Sequence, residues 1–125
     1  MNERILNVKV GEGIQSNLDR AARVMEMLER GEVPSPYYGV GFNEMGQMLA
    51  VFTPKRWALL AALRAYGPMS TAELARHLGR DYKNVHSDVE KLSVWMAVDK
   101  DEQGRVYAPY AEIVLDVHLP DRQAA

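Results

Sequence analysis

The 125-residue sequence contains no cysteine, which excludes disulfides, thiol chemistry and any cysteine-ligated zinc site. Nor does it contain an apolar run near the ~18 residues needed to cross a bilayer, so no membrane role is expected. The first ten residues, MNERILNVKV, lack the apolar core and small-residue cleavage site of a secretory leader, and a cytoplasmic protein is expected. There is no excess of positive charge: the formal net charge is −2, against the plainly basic balance of a nonspecific nucleic-acid coat. Phosphate-loop spacing is also missing, because Gly39, Gly41 and Gly46 are not followed by the required lysine. No serine sits in a context that activates a nucleophile, and the carboxylates are scattered, so no enzyme and no cofactor are expected. His86 and Glu90 are four apart on one helical face, but two ligands without a third read as a solvated pair, and no metal is expected.

What is present fits one domain-sized core with an extension. Charge is unevenly placed: residues 53–110 hold 9 Lys or Arg against 7 Asp or Glu, whereas residues 1–52 hold 5 against 7. Leu6, Val8 and Val10 alternate with Asn7 and Lys9, predicting a strand closed by Gly11 and Gly13. Ile14, Leu18, Ala21, Ala22, Met25 and Leu28 recur at helical spacing until Gly31 and Pro34 stop them. The Pro- and Gly-rich stretch 33–42 predicts an irregular connector. Asn43 is placed to cap a short helix through Phe52. Thr53 with Pro54 opens a longer helix, buried along Trp57, Leu59, Leu60, Leu63 and Tyr66 and ended by Gly67-Pro68. Trp57 and Trp95 border either the core or a small-molecule pocket, and core packing is the expectation.

The stretch STAELARHLGRDYKNVHSDVEKL, residues 70–91 with Leu92, carries the densest local information. Ser70 and Glu73 form a capping box; Leu74, Ala75 and Leu78 make an inner face; Gly79 ends the helix in one residue and Asp81 caps the next. Val85, Val89, Leu92 and Met96 then fall on one buried stripe. Lys83, Ser87 and Glu90 point away from it, flanked by Asn84, His86 and Lys91, and most of these side chains can hydrogen-bond base edges or phosphates. Two short extended runs around Asp101-Glu102-Gln103-Gly104 predict a hairpin that sets Lys100 and Arg105 beside a phosphate backbone. This is the order of a winged helix-turn-helix, although a three-helix core with an incidental hairpin gives the same order. Finally, AEIVLDVHL predicts a strand with Ile113, Leu115, Val117 and Leu119 on one face and Glu112, Asp116 and His118 on the other.

Residues 53–113, carried by FTPKR, LARHLGRDYKNVHSDV and the wing ending in PYAEI, resemble a family of prokaryotic winged helix-turn-helix predicted transcriptional regulators, distantly similar to the multiple-antibiotic-resistance type. The resemblance implies a homodimer binding double-stranded DNA, with the helix 81–92 reading the major groove through Lys83, Asn84, His86 and Ser87. It further implies that Thr71 and Arg80 hold phosphates and that Lys100 and Arg105 support the wing. Some members resemble antitoxins, which implies a toxin as a further partner. The chain departs from the family at Met96-Ala97, where Gly-Leu is usual, and in carrying Asp88 and Glu90 on the reading helix. The expectation is therefore an α+β, mainly helical fold: a strand-helix arm and connector over 1–42 for dimer or partner contact, a winged helix-turn-helix over 43–119, and a tail over 120–125. A DNA-binding repressor or autoregulator is the leading function, against a winged-helix protein-interaction module that does not bind DNA.

Overall fold

A computed structural model describes residues 4–11 and 14–119, with the side chains of residues 14–16 outside the description. Gly13, expected to help close the first strand, lies outside the described residues. Chain order is strand β1 (Arg4–Val10), helix α1 (Ile14–Glu29), strand β2 (Tyr38–Phe42), helices α2 (Met45–Val51), α3 (Pro54–Tyr66), α4 (Thr71–Leu78) and α5 (Tyr82–Val94), then strands β3 (Asp99–Lys100), β4 (Val106–Tyr107) and β5 (Tyr110–Val117). The fold is α+β and mainly helical, and its helix, helix, turn, helix, hairpin order from α3 to β4 is that of a winged helix-turn-helix.

The stretch read as an irregular connector contains β2. It pairs parallel to β1, Leu6 opposite Tyr38 through Val10 opposite Phe42, and β5 pairs parallel to β1 on the other side. The sheet order β2-β1-β5 thus joins both ends of the chain. Its central strand is buried at Leu6, Val8 and Val10, which enter one continuous core with Leu59 and Leu63 of α3, Leu74 of α4, and Val85, Val89 and Leu92 of α5. A glycine is required where β1 ends: Gly11 has φ +80, and a Cβ there would collide with the carbonyl oxygen of His118.

Ile113, Leu115 and Val117 align with Leu6, Val8 and Val10 as their alternation predicted, but the strand is an edge, and Leu115 and Val117 stay 47% and 37% exposed. Helix α1 also departs from expectation. Its stripe is amphipathic, yet Leu18, Met25 and Leu28 are 57%, 62% and 58% exposed, so a single chain does not bury it.

Most caps form as their chemistry dictates. The side chain of Thr53 accepts the Arg56 N–H, and Pro54 opens α3. The short α2 starts one residue later than read: Glu44, not Asn43, is its cap, closing a capping box with Gln47. Tyr66, expected on the buried stripe of α3, is exposed and lies against His77 at 4.3 Å between ring centroids. Both tryptophans are partly buried against the core, Trp57 stacked on Phe52 at 5.1 Å and Trp95 on Phe42 at 4.4 Å, and each also lines a surface cavity. No helix among the described residues is long and apolar enough to cross a membrane.

Candidate nucleic-acid interface

The two helices of the motif are set by local chemistry. At the start of α4 the Ser70 hydroxyl accepts from the Glu73 N–H at 3.1 Å and the Glu73 carboxylate accepts from the Ser70 N–H at 3.2 Å, and the second bond holds the Glu73 carboxyl below its ordinary range. At its end Gly79 takes φ +64 and the Arg80 N–H reaches back to the Ala75 carbonyl at 3.0 Å, a Schellman closure that reverses the chain within one turn. Asp81 accepts from the Asn84 N–H at 3.4 Å and starts α5.

Helix α5 ends by the same geometry with a residue poorly suited to it. The Ala97 N–H bonds to the Leu92 carbonyl at 2.9 Å, and Met96 sits at φ 65, the left-handed position that glycine favours. Met96 therefore does not extend the core stripe as its spacing suggested, and its side chain is 44% exposed. The backbone that Gly-Leu would supply is kept at Met96-Ala97, with strain at the methionine.

Orientation of α5 comes from contacts distant in sequence. The Asp88 carboxylate accepts from Arg56 Nε at 3.0 Å and from Arg80 Nη2 at 2.7 Å, and all three side chains are at most 20% exposed. Arg56 also donates to the carbonyls of Ala50 and Val51 at 3.0 and 2.8 Å, satisfying the open end of α2. One buried carboxylate thus ties α2, the first turn of α3, the α4–α5 turn and the middle of α5 together. Asp88 turns inward onto two arginines, so it does not make the exposed face of α5 acidic. Arg80, expected to hold a phosphate, is committed to Asp88, and its Nη1 is buried without a hydrogen-bond partner.

The remaining site residues divide clearly. Lys83, Asn84, Ser87 and Lys91 are exposed along α5. His86 is half-buried, with Nε2 3.5 Å from Glu90 Oε1 and its ring tilted against exposed Tyr82 at 5.9 Å between centroids. Thr71 is half-buried in the first turn of α4. Tyr82, which projects at the start of α5 with 52% exposure, was not singled out from the sequence; its place directly after the Asp81 cap was the available indication. Among the described residues no group of three or more His, Asp or Glu side chains could hold a metal.

The wing is short. Asp99 pairs with Tyr107 and Lys100 with Val106, while Met69 adds a bridge to Val106 through N–H to carbonyl bonds of 3.1 and 2.8 Å. Its turn is built around Asp101, whose carboxylate accepts from the Gln103 and Arg105 N–H groups, both at 2.9 Å, and from Arg105 Nε at 2.8 Å. Those bonds, the Arg105 backbone first, pull the Asp101 carboxyl below its ordinary range. Arg105 accordingly braces the turn while staying exposed itself, and Lys100 is a second exposed cation of the wing.

No curated protein matches the sequence. A MarR-like transcriptional regulator from Thermotoga maritima is similar in structure, with a TM-score of 0.42 and 16% identity over 78% of this chain and 66% of its own, just under two thirds of that protein's length. The family model HVO_A0114 matches residues 51–115. That span runs from the end of α2 through the helix pair and the wing into β5 and exceeds half of the chain, so the protein belongs to the HVO_A0114 family.

Proposed function

We propose that this protein is a sequence-specific DNA-binding regulator of transcription, acting by recognition without catalysis, as a homodimer on double-stranded DNA. The observation that carries this reading is the presentation of α5: its core stripe is buried, Asp88 pins its middle, and Lys83, Asn84, Ser87 and Lys91 are left exposed along it, with exposed Lys100 on the wing. Asn suits adenine, Lys suits guanine or phosphate, and Ser suits either, so the helix offers base readout and backbone contact together. Thr71 and His86 extend the contact surface, Lys100 adds a phosphate contact from the wing, and Arg80 and Arg105 act by holding the reading helix and the wing turn. In a symmetric dimer the half-sites lie about 34 Å apart or a multiple of it. Residues 43–119 are the DNA-binding part in this reading, and 1–42 serve dimer or partner contact.

A repressor of its own operon is the simplest finer assignment, and the family resemblance of residues 53–113 supports the further one of antitoxin in a toxin pair. Fluorescence anisotropy on DNA from upstream of the gene, against scrambled DNA and across a salt series, tests the core of the proposal. Tighter saturable binding to the upstream fragment is expected, with Lys83→Ala and Asn84→Ala each costing about 1–3 kcal/mol of specific affinity. Lys91→Ala and Lys100→Ala should instead weaken both fragments and lower the salt slope by about one each. Indifference of the upstream affinity to Lys83 and Asn84 would move the assignment to a winged-helix protein-interaction module.

A further inference from the structure

We infer that the free edge of β5 pairs antiparallel with β5 of a second copy of this chain, about a two-fold axis at Leu115, making one six-stranded sheet. The inference rests on the homodimer of the proposed function and deepens it, moving the dimer contact to β5 and leaving residues 1–42 for partner contact. Among the described residues β5 has a strand on one side only. Its sequence, YAEIVLDV, lacks Pro, Lys and Gly, its one register shift lies before Glu112, and Val114, Leu115 and Val117 are 38%, 47% and 37% exposed. The opposite edge, β2, is five residues long and holds two glycines, a weaker template.

The backbone then selects the register. The His118 N–H points inward, bonding the Val10 carbonyl at 2.8 Å. Alternation along a strand therefore turns the N–H and C=O of Ile113, Leu115 and Val117 toward the free edge, where an antiparallel partner must meet them. Several two-fold registers satisfy this, and charge separates them. An axis at Val114 sets Glu112 against the Asp116 of the second copy, and one at Asp116 sets that carboxylate against itself; like charges directly opposed are destabilising. An axis at Ile113 runs Val117 against Pro109, which has no N–H to give. An axis at Leu115 pairs Leu115 with itself and Ile113 with Val117 on the apolar side. On the outer side it sets Glu112 against His118, whose ring already lies 3.1 Å from Asp116, which Lys9 holds at 2.8 Å. Of the axes from Ile113 to Asp116, the one at Leu115 makes the strand self-complementary, which is why a second copy is the occupant.

Light scattering on the full-length protein, eluted from a sizing column, should give twice the chain mass of 14.1 kDa. The protein has no cysteine, so single cysteines report the register directly. In the dimer the two 115 Cα atoms lie about 5.5 Å apart, inside disulfide range, whereas the two 117 positions are separated by four residues of offset, roughly 14 Å. Under mild oxidation Leu115→Cys should therefore form a covalent dimer at least ~10-fold faster than Val117→Cys. Glu112→Lys should weaken the dimer by setting a second cation against His118. A monomer at all concentrations overturns both this interface and the homodimer, including the case where β5 is instead occupied by a strand of another protein. A dimer in which Leu115→Cys cross-links no faster than Val117→Cys overturns the interface and leaves the homodimer standing.

Discussion

Asp88→Ala should be the most damaging change to a polar residue in the helix pair, although Asp88 is a charged residue on a helix whose core contacts are otherwise apolar. The substitution removes an acceptor that serves Arg56 at 3.0 Å and Arg80 at 2.7 Å, and leaves two guanidinium groups that are only 14% and 20% exposed. Breaking a buried ion pair from one side costs about 3–5 kcal/mol, mostly because the surviving charge is stranded. Some water still reaches both arginines, which places the expected loss at the low end, about 3 kcal/mol. For a two-state domain of this size that is a fall of roughly 10 °C in Tm, readable by calorimetry or by circular dichroism melts. Arg80→Ala should cost less, because it also removes the partnerless buried Nη1. Arg56→Ala should cost more than Arg80→Ala, since the carbonyls of Ala50 and Val51 lose their donor as well. A double-mutant cycle between Asp88 and Arg56 should show coupling above ~1 kcal/mol. An Asp88→Ala protein whose Tm stays within about 2 °C of the parent would refute the reasoning, by showing that the cluster is no more than a surface ion pair.

Met96→Gly should stabilise the fold by up to about 1 kcal/mol, since relief of the left-handed strain exceeds the added freedom of the unfolded chain; a loss of stability in urea titration would contradict this. The wing should respond to acid. The folded-state pKa of Asp101 lies below its ordinary value, so its support is complete above that value and fades as pH falls through the depressed one. Amide exchange of Gln103 and Arg105 should therefore show wing-turn protection steady from neutrality to about pH 5 and lost at lower pH, whereas Asp101→Asn should weaken it throughout; unchanged protection in the variant would remove Asp101 as the organiser of the turn.

The helix pair was legible because its determinants are local. Ser70 and Glu73 are three residues apart, Gly79 and Asp81 two, and each acts through the backbone next to it. The sheet was not legible in the same way. Three parallel strands are held by pairings such as Lys9 with Asp116, 107 residues apart, and no periodicity in β2 distinguishes YGVGF from the loop around it. The amphipathic stripe of α1 was read correctly as a pattern, but a pattern states that a face is apolar and not that its own chain covers it. Asp88 shows most clearly where such reading stops. Helical projection places it beside the core stripe, and its sign made it look like a liability for DNA binding. Its role depends on Arg56, 32 residues earlier, and on Arg80, which looked like a phosphate contact. The chemistry that α5 presents can thus be scanned along α5 itself, whereas the angle at which it is presented is decided by residues on α3 and the turn. A change of DNA specificity and a change of reading-helix geometry should accordingly map to separate sets of substitutions, the first at Lys83, Asn84 and Ser87, the second at Arg56, Arg80 and Asp88.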